Sequence, residues 1–298
     1  MKIIVLGCNG QLGHCLYDQL EKTDHDVIYT SRDQINIADL EATRNHIKEI
    51  SPYIVINAAA YTAVDKAEEN QEKADLINHL AVANIAASCK ELDCWLIHLS
   101  TDYVFDGSSK IPYKEDDQTN PQSVYGDTKL KGEIAIKSSG CKNIIIRTAW
   151  VFSEYGNNFL KTMLRLGAER TELHIVGDQI GCPTFAHDIA KTIVIILKDL
   201  KSNKISSGLY HFGGDLCYSW ADFAQAIFYE ALELKIIESK PNVVAITTKE
   251  FPTLAKRPAQ SQLDSNKLLL NFGIDPSDCI LGIRSSLNAI KNKKQFTE

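Results

Sequence analysis

Four consecutive apolar residues, Ile3-Ile4-Val5-Leu6, follow Lys2, and similar runs recur in "DVIYTS", "YIVINAAA", "CWLIHLS" and "NIIIRTAW". Such runs are short and apolar throughout rather than alternating, which predicts strands buried on both faces. Amphipathic stretches separate them. Strand and helix in alternation predict an α/β fold, a Rossmann-type doubly wound parallel sheet with helices on either side.

Further along, "DIAKTIVIILKDL" reads as another helix and "GLYHFGG" as another strand of the same type. Two segments break the rhythm: a loop-rich piece from Phe152 to Ala186, and the chain from Leu216 onward, which turns helical and irregular. Both are assigned to a second, smaller lobe. Residues 1–151 and 187–215 then form a dinucleotide-binding domain, and 152–186 with 216–298 form the lobe that completes the site. At 298 residues there is room for such a composite, given about 150 residues per domain.

A formal net charge of -6 argues against a dedicated nucleic-acid surface. The short basic run Lys291, Lys293, Lys294 reads as a solvated tail. Eight cysteines show no CxxC pair and no metal-ligand spacing, so reduced, mostly buried thiols are expected and no metal. The first apolar run is far too short to span a bilayer and leads into glycines rather than a cleavage site, so a soluble cytoplasmic protein without membrane contact is expected.

"GCNGQLG" places Gly7, Gly10 and Gly13 directly after the first strand and at the start of a helix. Glycines there let the chain turn tightly and bring backbone N–H groups to a pyrophosphate, which also gains from the positive end of the helix. The spacing is GxxGxxG rather than GxGxxG, and close strand–helix packing is the competing explanation. The second strand, "DVIYTSR", lacks the acidic residue that holds an adenine ribose, and offers Ser31 and Arg32 instead. A guanidinium suits a 2′-phosphate, so NADPH is expected over NADH, which the site can also admit; a plain surface arginine is the alternative.

In "SVYGDTKLKGE", Tyr125 and Lys129 stand four apart and share one helix face. A nearby ammonium favours phenolate, so Lys129 is expected to bring the Tyr125 pKa down toward neutrality and to reach a cofactor ribose. Thr101, in "LSTDYVFDG", presents a hydroxyl at the carboxyl edge of the sheet, where it can orient a carbonyl while Tyr125 supplies a proton. Taken alone, the Tyr–Lys spacing also fits an ordinary helix surface; the glycine loop and "LSTD" change its meaning.

Together with "VINAAAYTAVDKAE", "IIRTAWVF", "NNFLKTMLRL", "GDQIGCPT" and "RPAQSQLD", these motifs resemble the extended short-chain dehydrogenase/reductase superfamily, and within it the reductases of nucleotide-linked 4-keto sugars, along nearly the whole chain. The resemblance implies Thr101, Tyr125 and Lys129 as the catalytic set. It implies a cofactor held by the loop residues Gly7, Asn9, Gly10, Gln11, Leu12 and Gly13, by Ser31 and Arg32, by Asn36 and Ile37 near the adenine, and by Asn57, Ala58, Ala59 and Ala60. Val64, Asp65, Asp102, Tyr103, Trp150, Asp178 and Arg257 are implied on the sugar-nucleotide side, with Arg257 at the diphosphate. Second readings stand beside three of these: Trp150 packing between lobes, Asp178 capping a turn, Arg257 in an ion pair.

The implied activity is NADPH-dependent reduction of the C4 keto group of dTDP-4-dehydro-L-rhamnose to dTDP-L-rhamnose for a surface polysaccharide. Alternatives are another nucleotide-linked 4-keto-deoxysugar, or a non-catalytic regulatory subunit resembling that of methionine adenosyltransferase. Relatives bridged into dimers by a metal carry a glutamate in the first helix, where this chain has His14 and Cys15. A monomer or a metal-independent homodimer is therefore expected.

Overall fold

The computed structural model describes residues 1–202 and 206–295. Along the first half run β1 (Lys2–Leu6), α1 (Gln11–Leu20), β2 (Asp26–Thr30), α2 (Leu40–Ile50), β3 (Ile54–Asn57), α3 (Val64–Glu69), α4 (Gln71–Asp75), α5 (Ala81–Glu91), β4 (Trp95–Thr101), α6 (Val124–Ser139) and β5 (Lys142–Thr148). The second half adds β6 (Val151–Phe152), α7 (Phe159–Glu169), β7 (Glu172–Val176), β8 (Ile180–Gly181), β9 (Thr184–Phe185), α8 (Ala186–Lys201), β10 (Gly208–His211), β11 (Tyr218–Ser219), α9 (Trp220–Glu233), β12 (Asn242–Ile246), α10 (Asn266–Phe272) and α11 (Cys279–Gln295).

Six strands form one sheet in the order β10-β5-β4-β3-β1-β2, with every neighbouring pair parallel. All six apolar runs read from the sequence as strands lie in it. Alternate side chains serve opposite faces, as the strand period requires. Ile3, Val5, Ile54, Ile56, Ile97 and Ile144 pack beneath α1 and α8, whereas Ile4, Leu6, Val55, Leu96 and Ile145 pack beneath α2 and α5. Burial on both faces is why the runs do not alternate. Each of these fully buried side chains contributes roughly 1.5–3 kcal/mol.

A second core gathers Phe152, Leu160, Phe185, Phe223 and Phe228 among α7, α9 and α11. The division into a dinucleotide-binding domain and a smaller lobe remains our proposal; Leu268 and Ile274, from the segment assigned to the lobe, pack with the sheet core. The piece 152–186 is less loop-rich than expected, because it contains the eleven-residue helix α7, capped by Asn158, whose side chain accepts from the Lys161 N–H. The supposed basic tail is the end of helix α11, with Lys291 donating to the Leu234 carbonyl. The side chains of Lys293 and Lys294 lie outside the described residues. Among the described residues no helix is long and apolar enough to cross a membrane.

What positions the site is the reversal of strand order at β1. The chain goes to β2 on one side and crosses to β3 on the other, so the loops after β1 and β3 part around a crevice at the carboxyl ends. The loop after β4 stands beside them.

Candidate active site

Gly7 has φ +83°, and a Cβ there would come within 2.8 Å of the Ala59 backbone in the loop after β3. At Gly13 a Cβ would meet the carbonyl oxygens of Gly7 and Cys8 at 2.4 Å. Close packing therefore explains two of the three glycines by itself. The third opens the site: Gly10 is the N-cap of α1 and offers no side-chain cap, so the first-turn N–H groups are available to an anion. A pyrophosphate fits this cradle. Asn9 is exposed beside it, Leu12 packs on the sheet core, and the Gln11 side-chain oxygen accepts from Asn158 at 2.7 Å, tying the loop to α7.

Arg32 is exposed just beyond β2, and the Ser31 N–H donates to Gln34. Asn36 is occupied in a local turn, accepting from the Ala38 N–H at 3.2 Å. Ile37 points the other way: its side chain is buried with Ile4, Leu6 and Ile47, so its side chain belongs to the core. Asn57 accepts from the Ala59 N–H and bonds the His98 ring at 3.1 Å, which shapes the Asn57–Ala60 loop around Ala58, itself donating to the Leu6 carbonyl.

Helix α6 carries the tyrosine and the lysine. Ser123 caps it by accepting from Gly126, and Glu68 accepts from the Val124 N–H at 2.9 Å. Gly126 and Gly132 let it approach closely, since a Cβ would lie 2.1 Å from the Tyr103 carbonyl oxygen and 2.3 Å from that of Asn78. Asn78, in a π-helical turn between α4 and α5, bonds both Tyr61 and Thr128, so the loop after β3 is fastened to α6.

Tyr125 lies beside Thr101 and stands edge-on to Tyr103, with ring centroids 5.5 Å apart. Thr101 donates to Asp102 Oδ1 at 2.9 Å and accepts from the Tyr103 N–H. Lys129 is 2% exposed and donates to the Leu99 carbonyl, with the His98 ring at 3.2 Å. The expected drop in the Tyr125 pKa is not what this geometry produces. Burial pushes the phenol up to about 12, with the Thr101 hydrogen bond opposing and the Asp102 charge adding to the rise. Burial likewise pulls Lys129 down to about 8, against the pull of Glu133. At neutral pH the site holds a protonated phenol, which suits a proton donor.

Burial raises the Asp102 carboxyl to about 6, opposed first by the neighbouring Ser261 hydroxyl and then by Thr101, and no group meets its buried Oδ2 in good hydrogen-bond geometry. A buried acceptor left open beside Thr101 is a place for a ligand's donor. On the same side Arg257 forms a two-pronged pair with Asp65, at 2.7 and 3.1 Å, and its hydrogen bonds hold that carboxyl below the usual range. Val64 begins the helix that carries Asp65. Trp150, at φ +48°, stacks on Trp220 at 3.4 Å. Asp178 accepts from the Thr248 N–H and hydroxyl, capping the turn at 247–250. The second readings of Trp150, Asp178 and Arg257 thus describe contacts these side chains do make. Thr101, Asp102, Tyr103 and Tyr125 come together, whereas the Asp178 carboxylate is engaged by Thr248.

The sequence reading passed over the layer beneath. Glu133 and Arg147 form a fully buried pair at 2.7 Å, joined by Ser100 and His211, and the guanidinium lies over Phe105. His98 is held neutral by burial and the adjacent Lys129 charge, and links Asn57 to that lysine. Cys15 is wholly buried and His14 stacks on Tyr155. Nearby, Asp18, Glu154 and His187 bring their polar atoms within 4.8 Å of one another, with His187 and Glu154 paired at 2.9 Å.

Residues 1–292 match the family described as RmlD substrate binding domain. A dTDP-4-dehydrorhamnose reductase of Aggregatibacter actinomycetemcomitans is 42% identical, over 100% of this chain and 99% of that protein. The enzyme of the same name from Escherichia coli K12 is 38% identical over 97% of this chain and 98% of its own. Among solved structures, a dTDP-4-dehydrorhamnose reductase from Clostridium acetobutylicum superposes with a TM-score of 0.89 at 38% identity, covering 98% of this chain and all of that one. One from Bacillus anthracis, in complex with NADP, gives 0.88 at 34% identity, covering 97% and 99%.

Proposed function

The chain belongs to the RmlD substrate-binding-domain family, and from that premise we propose that it acts as a dTDP-4-dehydrorhamnose reductase, reducing the C4 keto group of dTDP-4-dehydro-L-rhamnose to dTDP-L-rhamnose with NADPH for a surface polysaccharide. The observation that carries this reading is the placement of Tyr125 beside Thr101 at the carboxyl end of β4, with buried Lys129 one helical turn along α6. A relative of the same name holds NADP. The uncapped start of α1 and the close approach of Gly7 to Ala59 fit that dinucleotide.

NADPH, when bound, supplies the hydride that the C4 carbon accepts. Everything else falls to the protein. Tyr125 gives its phenolic proton to the oxygen at C4, and Thr101 fixes the phenol's direction. Because the phenol is raised by burial, it stays protonated through the neutral range and still holds its proton to give when negative charge develops on the C4 oxygen. Lys129 is anchored on the Leu99 carbonyl and holds a positive charge behind the phenol, where it stabilises the phenolate left after transfer. Asp102 Oδ2 takes a sugar hydroxyl. Arg257, oriented by Asp65, faces the diphosphate, and Trp150, braced on Trp220, borders the nucleotide side. Arg32 would hold the 2′-phosphate of the bound cofactor. The protein works in the cytoplasm, as a monomer or a metal-independent homodimer.

A substrate panel tests the reading. Purified protein is offered NADPH with dTDP-4-dehydro-L-rhamnose and with 4-keto sugars on other nucleotides. Preferential turnover of the dTDP-linked rhamnose precursor supports it; equal or greater turnover of a sugar on another nucleotide would replace it.

A further inference from the structure

We propose that Cys182 and Cys217 form a reversible disulfide when the protein meets a mild oxidant of the peroxide class. The antiparallel pair β8–β11 sets Ile180 opposite Ser219 and Gly181 opposite Tyr218. One further step in that register places Cys182 opposite Cys217. Directly opposed residues in an antiparallel pair have Cα atoms about 4.5–5.5 Å apart, inside the roughly 4.4–6.8 Å range that a disulfide spans. The two sulfurs already lie 3.3 Å apart.

Access differs between the two thiols in the way such chemistry needs. Cys217 is exposed, whereas Cys182 is 2% exposed behind it. The hydrogen bond from Cys182 holds the Cys217 thiol below its ordinary range, with burial opposing, so more of it is thiolate, the reactive form. Cys89 and Cys94 also neighbour one another, but both are buried in the sheet core and shielded from a dissolved oxidant. The pair at the surface is therefore the one that reacts.

The chemistry balances in two steps. Cys217 thiolate attacks one oxygen of hydrogen peroxide, the O–O bond breaks, and a sulfenic acid and one water result once hydroxide takes a proton. Cys182 then attacks the sulfenic sulfur, the S–S bond forms, the S–O bond breaks, and the departing hydroxide leaves with the Cys182 proton as the second water. Two thiols are oxidised and one peroxide is reduced to two waters. Cytosolic thiols reverse the reaction, which makes the bridge conditional on oxidative stress.

Closing the segment 182–217, a loop of about 35 residues, removes chain entropy from the unfolded state and should raise Tm by roughly 6 °C. The test uses the folded full chain, treated with hydrogen peroxide, blocked by alkylation without reductant, and analysed by peptide mass mapping. A linked 182–217 peptide that disappears with dithiothreitol, together with the Tm rise, is expected. Cys217→Ser, at an exposed position outside the catalytic groups, should keep basal activity and show neither effect. Oxidation of Cys217 to a sulfinic acid with no cross-link would overturn the proposal, as would a bridge between any other pair.

Discussion

Replacing Lys129 with methionine should change how stability depends on pH while abolishing turnover. The wild-type ammonium is buried at 2% exposure, and burial brings its pKa from an ordinary 10.5 to about 8. Between these values the unfolded chain binds a proton that the folded protein has shed. Stability attributable to this residue is therefore lowest below the folded pKa and rises as pH climbs toward the unfolded one, the direction expected for a basic group depressed by burial. Each pKa unit corresponds to about 1.4 kcal/mol, so wild type should gain roughly 2–3 kcal/mol over the methionine variant from about pH 7 to about pH 10. Other groups titrate in that range, but they are common to both proteins and cancel in the difference. Lost hydrogen bonds to Leu99 and His98 offset the two curves without tilting them. Urea unfolding at several pH values, with m held constant as a control, measures the tilt. Parallel curves would refute the reasoning, because Lys129 would then titrate as an exposed lysine.

Three further outcomes are expected. Tyr125→Phe keeps the ring but removes the proton donor, so kcat should fall by about two to four orders of magnitude with cofactor affinity nearly unchanged; near-parental turnover would show that the proton comes from elsewhere. Arg32→Ala should lower kcat/KM for NADPH by roughly ten- to a hundredfold and leave NADH nearly untouched, and parallel kinetics with equal losses would point to loop structure instead. Gly7→Ala puts a Cβ 2.8 Å from the Ala59 backbone at a positive φ, so titration calorimetry should find dinucleotide binding weakened at least tenfold, whereas unchanged binding would mean that the two loops can part freely.

The sheet was readable because burial on both faces leaves a plain mark, unbroken apolar runs between amphipathic stretches. Thr101, Tyr125 and Lys129 stood out as candidates only in combination, because the glycine loop and "LSTD" gave a meaning to a Tyr–Lys spacing that is common on helix surfaces. Burial itself was not. The spacing of Tyr125 and Lys129 suggested that the ammonium would govern the phenol, yet burial is the leading influence and moves the pKa the opposite way, with Thr101 rather than Lys129 opposing it. Ile37 stood in the right place for an adenine contact, but which way a side chain turns after a strand depends on tertiary packing, and it turns into the core. Glu133 and Arg147 each resemble an ordinary surface charge in sequence, one on α6 and the other on β5; only the fold joins them under the site. Helix α7 was not foreseen: Gly156, Asn157 and Asn158 made the segment read as loop, although Asn158 is the residue that caps the helix and Leu160 and Met163 are its buried positions.

The central claim is reduction at C4 by hydride, with the proton supplied through Tyr125. It is tested most directly by following deuterium from NADPH labelled on its transferable position into dTDP-4-dehydro-L-rhamnose. One deuterium on C4 of dTDP-L-rhamnose, formed by the parent protein and suppressed in Tyr125→Phe, is the predicted result. A product labelled at another carbon, or NADPH that binds without passing its deuterium to the sugar, would contradict the account.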